Sequence, residues 1–337
     1  MAEQVSIKCG EKSKKIYNLS FFMMIGIVWS HSRLPHWDVV PNYFNHLALF
    51  NELGQDAVAS FFLITGFLFF RNFKIDHYLI KLKSRFRTLI IPYLIWNCIG
   101  ALLWFTLIQT TGRRYVSDNY FFNSKLETIV NILVCDYTIL WYVGVIIIYA
   151  LAAPLFYYLS LNKRVAIISV LLFFIIGISF HHPFVSPLMW ISIYMIGAFL
   201  GTYYPDFLYK PIPTWITLTA VILYPLCVWY NQEYDSMLST NLRHLSSVFF
   251  YIGVYDLFDK KLHFKKHNFY KYSFFLYATH YFPIHVAQRY IISNINNEAA
   301  CWIAYLAVPP IVVTLCVLLA YLLDKKTPYL YQLLGGR

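Results

Sequence analysis

Long apolar segments alternate with short polar loops along almost the whole chain. A helix needs about 20 mainly apolar residues to cross the hydrocarbon core of a bilayer, so each such segment predicts a membrane span. The ten predicted spans cover approximately residues 18–34, 55–71, 88–108, 139–160, 165–180, 187–204, 213–231, 241–258, 273–292 and 300–323. We therefore expect an all-α polytopic membrane protein, a bundle of about ten transmembrane helices.

Composition supports a membrane protein and argues against separate soluble domains. Hydrophobic residues make up 59% of the 337 residues, charged residues make up 13%, and the mean hydropathy is +0.54. This apolar content exceeds what a soluble core of that length buries. The longest predicted loops, near 35–54 and 109–138, are too short to form a sizeable core of their own. We expect one membrane domain over residues 1–337, without the internal repeat that is typical of many transporters.

The positive charges predict the orientation of this domain. Of the 27 lysines and arginines, 21 fall in loops on one side of the predicted spans and six on the other. Those six are Arg33, Arg113, Arg114, Lys125, Arg243 and Arg289. The positive side of a membrane protein faces the cytoplasm, which places both termini there. Contact with anionic membrane lipids accounts for most of the net charge of +11, so we expect no nucleic-acid partner.

His31 is the leading candidate for chemistry, because it lies near the outer end of the first predicted span. Ionisable groups inside a membrane are costly and are therefore candidates for function. The alternative is an interfacial histidine that is hydrated among the lipid headgroups. Asp56 and Asp256 are the only carboxylates in the predicted spans, so we expect no buried carboxylate pair for glycoside chemistry or for a proton relay of the usual transporter kind. The six cysteines contain no CxxC motif, and we expect no metal site.

A second candidate is the basic segment 81–88 (KLKSRFRT), which is predicted to lie on the cytoplasmic rim. Its four cations are suitable for binding the phosphates of a polyanionic cofactor. The alternative is that they only set the topology and contact lipid.

Several segments resemble the acyltransferase 3 family in order and spacing. They are residues 28–32 (VWSHS), 60–70 (SFFLITGFLFF), 81–96 (KLKSRFRTLIIPYLIW), 140–154 (LWYVGVIIIYALAAP), 273–280 (SFFLYATH) and 327–337 (TPYLYQLLGGR). The resemblance implies a multi-pass enzyme of the bacterial cytoplasmic membrane. Such enzymes transfer an acyl group, commonly acetyl, from cytoplasmic acyl-CoA to a hydroxyl of an envelope or exported glycan, or of a lipid-linked sugar. No permanently bound cofactor is implied.

The resemblance also suggests roles for individual residues. His31 is expected to act as the general base, and Lys83, Arg85 and Arg87 to bind the phosphates of acyl-CoA. The residues expected to line the cavity are Ser20, Thr65, Trp141, Tyr142 and His280. Two of these have simpler explanations, because Thr65 beside Gly66 could serve helix packing and His280 could serve as a hydrogen-bonding core residue.

The chain departs from the family pattern at two positions. Relatives commonly carry a cation eleven residues before the histidine, where this chain has Ser20, and often another where it has Gly144. Eleven residues make roughly three helical turns, so residues 20 and 31 are expected to face one cavity about 16 Å apart. The alternatives are a glycan or lipid transporter or flippase without covalent chemistry, and a degenerate acyltransferase that serves as a structural partner.

Overall fold

The computed structural model of the chain describes residues 2–32, 41–111, 139–179, 186–294 and 297–336. Every regular element in these ranges is helical. The α-helices are α1 (Ala2–His31), α2 (Pro41–Phe70), α3 (Tyr78–Arg85), α4 (Ile91–Thr111), α5 (Trp141–Leu151), α6 (Ala153–Ser160), α7 (Lys163–Ser179), α8 (Pro187–Tyr203), α9 (Thr214–Glu233), α10 (Met237–Leu262), α11 (Ser273–Thr279), α12 (Tyr281–Asn294), α13 (Glu298–Lys326) and α14 (Pro328–Gly335). A π-helical turn, Phe86–Ile90, joins α3 to α4.

Several of these helices are apolar enough to cross a membrane. By length and hydropathy, three segments of the described chain qualify, namely Asn51–Phe70, Ile75–Leu103 and Glu298–Lys326, and a fourth is counted if α5 and α6 form one bent span. Helix α8 is apolar but has only 17 residues. The total of about ten spans stays a prediction. Large apolar side chains are exposed along α7, α9 and α13, as expected for lipid contact.

Helix α2 lies at the centre of the bundle, where it packs against α1, α8 and α10. Its contact with α8 is very close because glycines face the partner backbone on both sides. A Cβ atom added to Gly66 would collide with the carbonyl oxygen of Tyr194, and one added to Gly197 would collide with that of Leu63. Small residues allow such close approach of membrane helices. The contact fixes the position of α2 and of the side chains on its other faces.

Three prolines explain where regular helix is interrupted. Proline lacks an N–H group, and its ring clashes with the carbonyl group four residues earlier. Pro154 follows a 60° bend between α5 and α6, and Pro283 follows the break between α11 and α12. Pro92 follows the π-helical turn. The predicted spans 139–160 and 273–292 are therefore each two helices, and the second break places His280 between α11 and α12.

Buried ion pairs lie at both ends of α10. At one end, the Lys15 amino group lies 2.8 Å from the Asp256 carboxylate and donates to the carbonyl oxygen of Lys210. Near the other end, Arg243 contacts Glu52 at 2.9 Å. Lys15 and Lys210 were expected on the cytoplasmic side and Arg243 on the outer side. Arg243 is the one member of the predicted outer six with a described side chain, and the orientation in the membrane stays a prediction.

Candidate active site

A cavity of about 630 Å³ lies between α1, α2, α11 and the start of α5. It is lined by Ser20, Met24, Ile27, Ser30, His31, Gln55, Val58, Phe61, Ile139, Trp141, Tyr142, Ser273, Phe274 and Tyr277. Most of these side chains are apolar or aromatic, with a few hydroxyl, amide and imidazole groups among them. Such a lining, with few polar groups, is typical of small-molecule sites.

Ser20 and His31 both border this cavity, as their eleven-residue separation predicts. Along α1 they lie about 16 Å apart, because each residue of an α-helix rises about 1.5 Å. The cavity therefore extends along much of the apolar part of α1. His31, the last residue of α1, supplies the imidazole group on the cavity wall.

Tyr142 is held in place by two hydrogen bonds to α2. Its hydroxyl group donates to the carbonyl oxygen of Phe61 at 3.1 Å and lies 2.6 Å from the Thr65 hydroxyl. Tyr142 has a single proton to donate, so Thr65 must be the donor in the second bond. Thr65 is thus outside the cavity lining but fixes a side chain that borders it. Trp141 packs against Trp190, with ring centroids 5.9 Å apart.

His31 packs against α12 and the residue that precedes it. Its ring centroid lies 5.5 Å from that of His280 and 5.5 Å from that of Tyr281. The amide of Gln288 donates to the main-chain carbonyl oxygen of His31 at 2.6 Å, which ties the end of α1 to α12. His285 lies beyond Tyr281, with ring centroids 4.1 Å apart. Within the described part of the chain, no three His, Cys, Asp or Glu residues are grouped so that they could hold a metal ion.

His280 is completely buried and its tautomer is fixed by the main chain. Its Nδ1 atom lies 3.0 Å from the carbonyl oxygen of Leu276 and 2.9 Å from that of Tyr277. Carbonyl oxygens accept hydrogen bonds, so Nδ1 carries the proton and Nε2 is an acceptor. Nε2 has no hydrogen-bond partner among the residues that the structure describes.

The three cations that were expected to bind acyl-CoA do not share one surface. Lys83 and Arg87, four residues apart, line a separate groove of about 400 Å³ with Ile80, Ser84 and Thr88. Arg85 lies on another face, with its guanidinium carbon 5.8 Å from the centroid of the Phe69 ring. Arg85 also lies near Tyr194 and Tyr142. Of the three cations, Arg85 is therefore the one placed near a residue that lines the cavity, Tyr142.

The two departures from the family pattern lie in different surroundings. Ser20 borders the cavity, so at this position, where the resemblance implies a cation, the cavity wall carries a hydroxyl group. A Cβ atom added to Gly144 would lie 3.3 Å from the Tyr93 hydroxyl of α4. A side chain at position 144 would therefore point towards α4, and Gly144 is not among the cavity-lining residues.

A buried ionic cluster on α2 and α10 was missed by the sequence analysis. Asp56 is completely buried, and its carboxylate lies 3.3 Å from the Arg243 guanidinium and 3.4 Å from His244. Tyr224 donates to Asp56 at 2.8 Å. Arg243 also pairs with Glu52, whose side chain is half-buried and lies outside the predicted span 55–71. The available signal was the four-residue spacing of Glu52 and Asp56, which places both on one helix face.

Comparison with known proteins gives a family match over most of the chain. Residues 18–323 match the family model Acyl_transf_3, described as an acyltransferase domain. Neither the curated proteins nor the solved structures compared with the chain gave a match. The matched range contains His31, the basic segment and all the cavity-lining residues. The chain therefore belongs to the acyltransferase 3 family, a membrane-associated family of acyltransferases.

Proposed function

We propose that this protein transfers an acyl group, which we take to be acetyl, from cytoplasmic acyl-CoA to a sugar hydroxyl. The acceptor is a cell-envelope or exported glycan, or a lipid-linked sugar, and the protein lies in the bacterial cytoplasmic membrane. Family membership supports acyl transfer in general. The structural support is a largely apolar cavity that carries an imidazole at the end of α1.

The observation that carries this proposal is the position of His31 on the cavity wall. A sugar hydroxyl is a weak acid and attacks a thioester slowly unless a base removes its proton. A positioned general base contributes about 10²–10⁴-fold to the rate. The other side chains that line the cavity are hydroxyl, amide, thioether, aromatic or aliphatic groups. Among them, His31 is the side chain best suited to take a proton near neutral pH.

The reaction follows from this assignment. His31 takes the proton of the sugar hydroxyl while the hydroxyl oxygen forms a bond to the thioester carbonyl carbon. The tetrahedral intermediate then collapses with cleavage of the carbon–sulfur bond. The CoA sulfur leaves with the electron pair of that bond and takes the proton from His31. The products are an O-acylated sugar and free CoA, and His31 returns to its neutral form.

Donor binding would use α3 and the π-helical turn that follows it, which we place on the cytoplasmic side. The groove with Lys83 and Arg87 would hold phosphate groups of CoA, since both side chains are exposed cations four residues apart. Arg85, which lies near Tyr142, would hold a phosphate or carbonyl group closer to the cavity. The uncharged pantetheine arm would then enter the apolar cavity towards His31. The acceptor would approach from the outer side.

Consumption of the thioester tests the reaction class directly. Membranes that contain the protein are incubated with acetyl-CoA and a panel of candidate glycans, and free thiol is measured over time. Membranes prepared identically without the protein are the control. We expect glycan-dependent thiol release above this control, with the acetyl group recovered on the glycan. Correctly inserted protein that binds glycan and never releases thiol would contradict the proposal and favour transport without covalent chemistry.

A further inference from the structure

We infer that His280 is a positioning residue that orients His31 for proton transfer. In this arrangement, one ring nitrogen of His31 donates a hydrogen bond to Nε2 of His280. The other His31 nitrogen then has no proton and faces the cavity as the base. This inference rests on the proposed function, because it explains how the base of that reaction is kept in its active form.

The first support is the hydrogen-bonding state of His280. Its Nδ1–H group is occupied by the carbonyl oxygens of Leu276 and Tyr277. These bonds fix Nε2 as an acceptor and hold the ring in one orientation. Within the described chain, Nε2 has no hydrogen-bond partner although His280 is completely buried. Buried polar atoms are nearly always paired, so an unpaired acceptor of this kind requires an explanation.

The second support is the distance to His31. Two imidazole rings joined by an N–H···N bond have centroids about 5 Å apart, because the bond is about 3 Å and each ring adds about 1 Å. The observed centroid separation is 5.5 Å, with a tilt of 49° between the rings. A small rotation of the His31 ring towards His280 closes this gap. His31 borders the cavity, which leaves room for that rotation.

The third support is the local main chain, which holds His280 rigidly. His280 lies at the break between α11 and α12, and its own N–H group donates to the carbonyl oxygen of Leu276 at 3.0 Å. Pro283, the third residue of α12, has no N–H group to donate within the helix, which explains the break. A side chain held by two carbonyl groups at a helix end is well suited to position a neighbour.

The neighbouring side chains are less suited to this role. The Gln288 amide already donates to the main-chain carbonyl oxygen of His31. Tyr281 meets the His31 ring edge to face, at an interplanar angle of 86°. Among the described residues, the ion pairs involve neither His31 nor His280. His280 offers a buried ring nitrogen that can accept a hydrogen bond close to the His31 ring.

The chemical consequence concerns the tautomer of His31. If the His31 nitrogen that faces the sugar hydroxyl already carries a proton, His31 cannot take the proton of that hydroxyl. A hydrogen-bond acceptor behind the ring selects the productive tautomer and stabilises the imidazolium ion that forms. Loss of such a partner should therefore lower kcat more than it changes KM for either substrate.

The test uses two substitutions of His280 in the full-length protein. His280→Leu removes the hydrogen-bond acceptor and replaces the imidazole with an apolar side chain of similar size. His280→Gln retains a hydrogen-bonding group at about the position of Nε2. Thr279→Val is the matched control on the same helix turn, since the Thr279 hydroxyl donates to the carbonyl oxygen of Phe275. Thermal unfolding in detergent, kcat, and KM for acetyl-CoA and for glycan are measured for each protein.

We expect His280→Leu to lower kcat by about 10- to 100-fold, the range seen when the hydrogen-bond partner that orients a metal-bound histidine is lost. KM values should stay near those of the native protein. The logarithm of kcat for His280→Gln should lie at least a third of the way from the His280→Leu value to the native value. The kcat of Thr279→Val should equal that of the native protein. A native kcat in well-folded His280→Leu protein would overturn this inference and leave the proposed function standing. Equal losses in both His280 variants, with matching losses of thermal stability, would also overturn it. Absence of native activity would instead overturn the proposed function itself.

Discussion

His31 combines the two surroundings that a general base requires. One side of its ring borders the cavity, where a substrate hydroxyl can reach it, and the other packs against His280 and Tyr281. The sequence predicted the candidate because an imidazole in an apolar span is costly. It could not predict the tautomer of His280, because that depends on which main-chain carbonyl oxygens lie within reach of Nδ1 near the helix break. Contacts between helices distant in the sequence decide such details.

The separation of the basic residues gives a test at the level of single side chains. We expect Arg85→Gln to raise KM for acyl-CoA by roughly 10- to 150-fold, because a hydrogen bond to a charged group contributes about 1.5–3 kcal/mol. Arg87→Gln, in the exposed groove, should raise it less, since water screens exposed charges. KM for the glycan should change little in either variant. Arg164→Gln, an exposed arginine at the start of α7, is the control.

Steady-state kinetics with varied acyl-CoA provides the measurement for these three variants. An unchanged KM for acyl-CoA in both Arg85→Gln and Arg87→Gln, with normal insertion, would mean that these cations only set topology.

The buried cluster around Asp56 gives a prediction about stability. Asp56→Leu leaves Arg243, with a side chain only 10% exposed, without one of its two carboxylate partners and removes the acceptor of Tyr224. Removing one partner of a buried pair costs about 3–5 kcal/mol. Asp206→Leu is the control, because the Asp206 side chain is 44% exposed and its contact with Arg71 is 3.8 Å. Such surface pairs contribute about 0–1 kcal/mol.

Thermal unfolding in detergent should therefore show a large loss of stability for Asp56→Leu and little change for Asp206→Leu. Similar unfolding temperatures for the two variants would show that Asp56 does not stabilise the fold.

Interruptions within helices determine the shape of the site at the scale of elements. The bend between α5 and α6 and the break between α11 and α12 both precede a proline by two or three residues. The sequence contains these prolines, but hydropathy alone predicted one continuous span for α5 with α6 and another for α11 with α12. A proline identifies where regular hydrogen bonding stops, whereas the direction of the bend depends on the packed neighbours. The presence of apolar helices was thus predictable more readily than their internal geometry.

Close packing of α2 on α8 gives a prediction at this scale. In Gly197→Ala the new Cβ collides with the Leu63 carbonyl oxygen, so we expect a loss of about 1–3 kcal/mol from overpacking. Gly177→Ala is the matched control in another helix, where the nearest atom to an added Cβ is 3.4 Å away. There the better helix propensity of alanine should leave stability unchanged or slightly higher. The thermal unfolding temperatures of both variants are compared. Equal temperatures would contradict the claim that Gly197 is required for the close packing of α2 on α8.

The whole molecule is organised by charges at the ends of the bundle. Lys15 and Asp256 meet at one end of α10, while Arg243 meets Glu52 and Asp56 near the other. The charge bias of the loops anticipated that Lys15 and Arg243 lie at opposite ends. It did not reveal their partners, because Asp256 and Arg243 are distant in sequence from the residues they bind. Family resemblance supplied the reaction class, which composition alone cannot provide.

Orientation in the membrane is the prediction that belongs to this scale. In a cysteine-free background, single cysteines are placed at the exposed positions Asp235 and Lys265. A membrane-impermeant maleimide should label Asp235→Cys in intact cells and Lys265→Cys only after permeabilisation, because the positive loops face the cytoplasm. The reverse pattern would place the basic segment outside and remove its access to cytoplasmic acyl-CoA.

The central claim is that His31 transfers the proton of the acceptor hydroxyl. The most direct measurement compares acyl transfer to glycan by His31→Ala and His31→Gln at matched levels of folded, inserted protein. His77→Ala, which changes an exposed histidine near the basic segment, is the control. The account predicts rates near background for both His31 variants and a native rate for the control, because glutamine hydrogen-bonds but does not accept a proton in this pH range. A His31→Gln protein that retained most of the native rate would contradict the account and leave His31 a structural role.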